Sequence, residues 1–363
     1  MIIGIPREIK DHEYRVGLTP SSVRELARHK HQVIVEAGAG LGIGAPDDEY
    51  RRSGAQVVTG ADAVFKEAEM IVKVKEPQAA ERKRLRRGQI LFTYLHLAPD
   101  PVQARDLLGS GAVCIAYETV TAPNGTLPLL APMSEVAGRM AVQAGAGALE
   151  KIRGGRGVLL AGVPGVAPAK VVILGGGVVG TNAALIATGM GAEVSVLDRS
   201  LEVLRRLEAR LGPRVKTFYP TGDLLESEVE SADLVIGSVL IPGAVTPKLV
   251  TRAMLKRMKP GAVLVDVAID QGGCFESSRP TTHSEPIYIE EGIVHYCVPN
   301  IPSSVARTST FALNNATLPF VLALANKGWE RALQEDVHLR NGLNIVDGRI
   351  VCKAVADALG YES

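Results

Sequence analysis

Residues 171–200 read VVILGGGVVGTNAALIATGMGAEVSVLDRS, and no other stretch restricts the fold as tightly. Gly175-x-Gly177-x-x-Gly180 follows an apolar strand run and opens an Ala-rich helix pattern. A second strand run then ends in Asp198, at the spacing of about 20 residues that separates the glycine turn from the ribose-binding acid of a dinucleotide fold. Each glycine has its own physical task. Gly175 permits the tight turn, Gly177 lets backbone approach a pyrophosphate, and Gly180 lets the helix pack closely on the sheet. The helix N-terminus adds unpaired N–H groups and a partial positive charge for the phosphates. Asp198 accepts the adenosine ribose hydroxyls and repels a 2′-phosphate, which predicts NAD rather than NADP, although Arg199 beside it works against that preference.

The rest of the chain alternates in the same way. Ahead of the glycine turn come "MIIGIP", "QVIVEAG", "MIVKVKEP", "QILFTYLHL" and "AVCIAYETV", separated by helix-like segments. Thr19 is placed as an N-cap with Pro20 at the first helical position, and three helix candidates stop at Gly54, Gly88 and Gly111. After the turn come "SADLVIGSVL", "AVLVDVAID" and "IVHYCVPN". Apolar strand runs alternating with helices predict an α/β protein with two doubly wound parallel-sheet domains, one a Rossmann domain, separated by a cleft. Residues 134–152 read as a long helix, "TSTFALNNATLPFVLALANKGWERAL" reads as another, and the residues after it carry little strand signal.

Composition excludes several function classes. A formal charge of +1, from 40 basic and 39 acidic residues, gives no bulk attraction for nucleic acid. Aromatics are only 4%, so Ala, Val, Leu and Ile must fill the core, as suits helix–sheet layers. Cys114, Cys274, Cys297 and Cys352 are scattered without metal-binding spacing, so neither zinc nor a disulfide framework is expected and the thiols read as reduced. The apolar stretch 157–180 is interrupted by Pro164, Pro168 and several glycines, which oppose one membrane-spanning helix. The start, "MIIGIPREIKDHEYR", has too short an apolar run for a signal segment and reads as a core strand of a cytoplasmic protein. The basic run "ERKRLRR" at 81–87 reads as a solvated helix face.

Two strand runs of the first half carry residues that a core does not need: "IVKVKEPQ" has Lys73 and Lys75, and "ILFTYLHLAPD" has His96. Ligands of open α/β sheets bind beyond the carboxyl ends of strands. Lys75 and His96 fall at such ends, and Arg15 lies in the loop after the first strand, so the three are expected to converge on one cleft. Taken singly, each has a plainer reading: a strand-end lysine reaching water, a satisfied half-buried histidine, a surface ion pair. In the dinucleotide half, Asp270 is read as ending the apolar strand "VLVDVAID", again on the ligand side.

Together "PREIKDHEYRVGLTP", "VKVKEP", "YLHLAPD", "GGGVVG", "VDVAIDQGGCFESSRPTTHSEP" and "TSTFALNNATLPF" closely resemble the alanine dehydrogenase family, in order and over nearly the whole chain. The resemblance implies reversible NAD-dependent deamination of L-alanine to pyruvate and ammonia by a homohexamer. It implies a discontinuous substrate domain, 1–128 with 304–363, around a dinucleotide domain at 129–303. Arg15 and Lys75 are implied to bind the carboxylate, with Tyr94, Met133 and Asn300 around the substrate, and His96 and Asp270 are implied to share the acid–base work. Implied cofactor contacts are Ser134, Gly175, Gly177, Val178, Val179, Gly180, Asp198, Val239, Leu240, Val267, Ala268, Ile269, Asp270, Arg279, Val298, Pro299, Asn300 and Ile301. Two positions depart from the family pattern: Pro220 stands where serine is common, and Val203 where a basic residue is frequent.

The chemistry agrees with these roles. Oxidising an amino acid takes a neutral amine, hydride loss from Cα, and water attack on the iminium. Arg15 and Lys75 would fix the Cα face presented, His96 would move protons near neutral pH, and Asp270 would hold the ammonium or iminium. The residues alone do not divide the proton transfers between His96 and Asp270. Three other readings stand beside this one: the NAD(H)-binding component of a proton-translocating transhydrogenase, a silent NAD-binding protein, and a dehydrogenase of another small amino acid.

Overall fold

The computed structural model describes residues 1–239 and 246–361; Leu240, one of the expected cofactor contacts, falls outside the described residues. The chain divides into two compact units, Met1–Met133 with Ser303–Ser363, and Ser134–Pro302. Six strands open the first unit: β1 (Ile2–Ile5), β2 (Gln32–Glu36), β3 (Gln56–Val58), β4 (Met70–Val72), β5 (Ile90–Thr93) and β6 (Val113–Ala116). The second unit holds β7 (Lys170–Leu174), β8 (Glu193–Leu197), β9 (Val215–Phe218), β10 (Leu234–Gly237), β11 (Val263–Asp266), β12 (Ile287–Glu290) and β13 (Ile293–Tyr296). The chain then returns to the first unit with β14 (Leu343–Val346) and β15 (Arg349–Ile350).

Among the described residues the first sheet has the order β15-β14-β6-β5-β4-β1-β2-β3, and the second β12-β13-β11-β10-β7-β8-β9. Strands β1 to β6 are mutually parallel, and β14 and β15 add antiparallel at one edge. The second sheet is parallel except for β12. Counting the parallel strands alone, each sheet contains the doubly wound order 3-2-1-4-5-6, which reverses direction between its first and fourth strands. β4, β5, β6, β10 and β11 are buried throughout, as strands covered by helices on both faces must be.

Local chemistry explains most element ends. Thr19 caps the helix Pro20–Arg28, its hydroxyl accepting from the Ser22 N–H at 3.4 Å. Gly54, Gly88 and Gly111 all have positive φ, yet only short helices precede the first two. The basic run is helical over Ala79–Arg82 alone, and its Arg82 and Arg84 pair with Asp106 and Asp62. The long helix expected at 134–152 runs Ala131–Ala148, followed by a separate 3-10 turn, Lys151–Arg153. The helix expected to end the second series stops at Lys327, because Gly328 takes a φ of 75° before Trp329–Glu335 resumes.

The helix Ala306–Lys327 joins the first unit through a buried polar network. Asn314 Oδ1 accepts from the Thr19 N–H (2.9 Å), the Thr19 hydroxyl (2.7 Å) and the Ser22 hydroxyl (2.6 Å), and Thr310 Oγ1 accepts from the Val16 N–H (3.3 Å). This ties the end of the chain to the loop that carries Arg15.

Candidate active site

In the first unit the reversal point lies between β1 and β4, and charged side chains fill it. Lys73 and Glu81 are fully buried and Glu8 nearly so. The Lys73 ammonium lies 3.0 Å from Glu8 Oε2 and 2.7 Å from Glu81 Oε1. Burial alone would lower the Lys73 pKa, but the two carboxylates outweigh it and raise it to about 12. Glu8 Oε1 also accepts from the Val74 N–H at 2.7 Å and the Lys75 N–H at 3.4 Å, fixing the segment that carries Lys75. Lys73 is therefore a structural cation, whereas the Lys75 ammonium lies 3.8 Å from Glu76 and keeps partial exposure.

Arg15 is 2% exposed and is not a surface ion pair. Its Nε and Nη2 donate to Glu13 at 2.7 and 2.5 Å, and Nη1 lies 3.1 Å from the Met133 sulfur. Burial works against its charge, but Glu13 more than compensates and the pKa shifts upward. Tyr94 is buried, donates its hydroxyl to the Leu129 carbonyl at 2.5 Å, and stacks its ring on His96, with centroids 5.7 Å apart and planes within 6°. Burial pushes the Tyr94 phenol upward in pKa, with the Arg15 charge opposing it. His96 itself is exposed, three residues past β5, in a left-handed conformation with φ 48°. The Glu118 carboxylate accepts from the His96 N–H at 2.6 Å and the Leu95 N–H at 3.1 Å.

In the second unit the reversal point lies between β7 and β10, and it holds the glycine turn. Gly175 has φ 96°, and a Cβ there would press on Ser238 and Val239 at 3.1 Å. A Cβ at Gly180 would drive into the Gly175 carbonyl oxygen, whereas one at Gly177 would meet no described residue within 4 Å. Gly180 is thus required by packing within the chain, and Gly177 borders open space at the start of the helix Val178–Gly189. Asp198 ties the turn to β8, one carboxylate oxygen accepting from the Gly176 N–H and the other from the Ser200 N–H, both at 2.7 Å. Each oxygen retains accepting capacity for a hydroxyl. These residues fit a dinucleotide: an open glycine at a helix N-terminus, backed by an acid at the end of the next strand.

The other residues named for the cofactor mostly follow the carboxyl ends of parallel strands of this one sheet. Val239 follows β10, residues 267–270 follow β11, and residues 298–301 follow β13. Ser134 sits on Ala131–Ala148, one turn before Gly138, whose bare Cα faces the Val179 carbonyl so closely that a Cβ would clash. That places Ser134 on the helix face turned toward the glycine-turn helix. Arg279 lies with its guanidinium 3.8 Å above the Tyr288 ring, which in turn stacks on buried His295. Val203 touches the turn through packing, 2.6 Å from where a Gly176 Cβ would be.

Asp270 requires a correction. β11 ends at Asp266, and Asp270 lies exposed in a 3-10 turn, Ile269–Gln271, whose Ile269 is buried. Asp266 is the buried strand-end acid: it accepts from the Ala268 N–H (3.0 Å), the Cys274 N–H (2.9 Å) and the Ser278 hydroxyl, folding the chain back so that Asp270 is presented at its tip. Burial raises the Asp266 pKa, and these donors oppose the shift. The sequence reading also missed Glu8, Glu13, Glu81 and Glu118, which hold Lys73, Arg15 and the His96 loop.

A glycine turn between the reversing strands of a parallel sheet gives the second unit a Rossmann-like dinucleotide-binding fold. Family models described as alanine dehydrogenase/PNT, N-terminal and C-terminal domain, match residues 4–137 and 141–353. The chain belongs to the alanine dehydrogenase/PNT family. It is 61% identical to an alanine dehydrogenase of Halomonas elongata, over 100% of this chain and 98% of that protein. A solved L-alanine dehydrogenase superposes with a TM-score of 0.96 at 51% identity, covering 99% of each chain. A transhydrogenase from Sinorhizobium meliloti superposes with a TM-score of 0.82 at 28% identity, over 98% of this chain and 100% of that one. No helix of the described residues is long and apolar enough to cross a membrane.

Proposed function

We propose that this oxidoreductase catalyses the reversible, NAD-dependent oxidative deamination of L-alanine to pyruvate and ammonia. The observation that carries the reading is a combination: in a chain 61% identical to an alanine dehydrogenase, Lys75 and His96 follow the adjacent parallel strands β4 and β5 and Arg15 lies in the loop after β1, while the other unit holds a glycine turn backed by Asp198. The first unit, with its C-terminal return, is the substrate domain, and the second is the cofactor domain.

Bound nicotinamide supplies the hydride acceptor. Arg15 keeps its Nε–Nη2 edge on Glu13, so it meets the substrate carboxylate from its Nη1 side, and Lys75 adds a point charge. Met133 lies at that Nη1 and Tyr94 backs His96, which makes both walls of the pocket rather than hydrogen-bond partners. Two cations hold the carboxylate, so the Cα hydrogen is fixed in direction, and orientation of that kind contributes much of such a barrier reduction. His96 takes and returns protons of the attacking water, and Asp270 stabilises the cationic nitrogen. Asp198 binds the adenosine ribose. The same reading carries a homohexameric, cytoplasmic enzyme, checked by light-scattering mass and cell fractionation.

Initial rates over a panel of amino acids, with NAD and with NADP and without membranes, test this. L-Alanine with NAD should give NADH. NADP should be at least about 100-fold less efficient, since juxtaposed like charges cost several kcal/mol. Serine and 2-aminobutyrate should trail alanine by roughly 10- to 200-fold, the selectivity one small group allows. Lys75→Ala should lose measurable pyruvate binding. No alanine-dependent NADH would favour the transhydrogenase chemistry named for the relative at 28% identity.

A further inference from the structure

We infer that Glu118 is the positioning residue of His96, and that it assigns the His96 Nε2 atom, rather than Nδ1, to proton transfer. The inference rests on His96 being the acid–base group proposed above.

The sheet brings the two residues together. β6 lies beside β5, so the turn Tyr117–Thr119 that follows β6 faces the residues that follow β5. Glu118 Oε1 accepts from the His96 N–H at 2.6 Å, and both its oxygens lie within 3.2 Å of the Leu95 nitrogen. Two adjacent N–H groups thus point at one carboxylate, and His96, the second of the two residues, takes φ 48°. A non-glycine residue in this region carries a conformational cost and persists only where surrounding contacts hold it. From the other side, the Gln103 side chain donates to the Leu95 carbonyl at 2.6 Å, and the Tyr94 ring lies parallel to the imidazole.

The carboxylate also orders the ring itself. Glu118 Oε1 lies 3.9 Å from His96 Nδ1, so Nδ1 is the nitrogen turned toward negative charge. A carboxylate there favours a proton on Nδ1, which leaves Nε2 with its lone pair outward. In the deaminating direction Nε2 then acts as base toward water: a water lone pair forms the C–O bond at the iminium carbon and the C=N π pair passes to nitrogen. The water's proton goes to Nε2, giving the neutral carbinolamine and an imidazolium beside Glu118. Such contacts are often long without substrate and shorten when it binds.

The test uses the full-length enzyme and three variants. His96→Ala should lower kcat by 100-fold or more. Glu118→Ala should lower kcat by about 10- to 100-fold, the range typical of an orienting partner, while the KM values for pyruvate and NADH stay within about twofold. Glu118→Gln keeps an acceptor for the two N–H groups without the charge; its melting temperature should match the wild type while kcat falls about tenfold. In ¹⁵N-histidine spectra the His96 signal, identified by its loss in His96→Ala, should show the Nδ1–H tautomer in the neutral wild-type ring and lose that preference in Glu118→Gln. Near-normal turnover by His96→Ala would remove His96 from the reaction and leave the proposed function at fault. Low activity in His96→Ala with unchanged kcat in Glu118→Gln, or an Nε2–H tautomer in the wild type, would overturn the role of Glu118. If Glu118→Ala does not fold, the glutamine variant and the tautomer still decide.

Discussion

The two units share a strand order but furnish its reversal point in opposite ways. Between β1 and β4 the chain buries Glu8 and Lys73, and Glu81 closes on the same ammonium. Between β7 and β10 it removes side chains instead, and Gly175, Gly177 and Gly180 leave backbone N–H groups at a helix start. The first unit offers side-chain cations, which fit a small carboxylate from several directions, and it must then balance their charge with buried acids. The second offers peptide dipoles, which need close approach but no counter-charge. One of its buried acids, Asp266, is likewise met by N–H and O–H donors, although another, Asp233, pairs with Arg156 and Lys259. One topology therefore supports two chemistries, according to whether charge or space stands at the crossover.

The sharpest way to break this contrast is Lys73→Met. Removing one partner of a buried ion cluster leaves the others uncompensated and costs about 3–5 kcal/mol. Urea unfolding should show that loss in the transition of the first unit. An unchanged midpoint would mean that the three groups are not ionised together. Removing the two uncompensated acids as well, with Glu8→Gln and Glu81→Gln in the same chain, should recover part of the loss.

In the second unit the corresponding test replaces space by a methyl group. Gly180→Ala forces a Cβ onto the Gly175 carbonyl and should destabilise the unit by about 1–3 kcal/mol as an overpacked site. Gly177→Ala meets nothing among the described residues, so its melting temperature should hold while NAD affinity, read by NADH fluorescence titration, falls. Equal stability losses in the two variants would refute the division between packing glycine and ligand glycine.

These differences also explain which parts were legible in the sequence. Gly175, Gly177, Gly180 and Asp198 act through local geometry, so their spacing alone announces the turn. Glu8 and Lys73 are joined only because β1 and β4 are neighbours, and Glu118 meets His96 only because β6 pairs with β5. Nothing local marks such partners. The end of β11 was misplaced because "VLVDVAI" stays apolar on both sides of Asp266, whose carboxylate bends the chain by hydrogen bonds that periodicity does not reveal. β14 and β15 are short and partly polar, and their strand character comes from pairing, β14 with β6 across the chain and β15 with β14. Thr19, by contrast, was legible as a cap because its partner is three residues away.

A smaller effect separates the units by pH. Burial in β13 lowers the His295 pKa from its ordinary value of 6.5. Below about 6.5 the unfolded chain binds a proton that the native ring resists, so the second unit loses stability as pH falls through that value, by at most about 1.4 kcal/mol for each pKa unit of difference. Melting temperatures from pH 8 to pH 5 should show this slope in the wild type and a shallower one in His295→Gln. Parallel slopes would show that His295 is not the group titrating.

The smallest effect concerns how the second unit handles the cation it does use. Arg279 lies flat on Tyr288, its backbone N–H donates to the Tyr288 hydroxyl at 3.0 Å, and that hydroxyl donates to the Ser277 carbonyl at 2.6 Å. His295 supports the other face of the ring and contacts the Ser277 hydroxyl at 2.7 Å. An aromatic platform holds an exposed guanidinium in one plane without the buried counter-acid that Arg15 requires, and it contributes about 0.5–1 kcal/mol at such sites. Tyr288→Leu should therefore weaken NAD binding by roughly two- to fivefold at unchanged pyruvate KM, and Tyr288→Phe, which keeps the ring, should lose less. Combined with Arg279→Ala, the leucine change should add nothing further, since the platform acts only through the arginine it carries. Full additivity would mean that Tyr288 serves the strand β12 rather than Arg279, and the second unit would then hold its peripheral cation by backbone geometry alone.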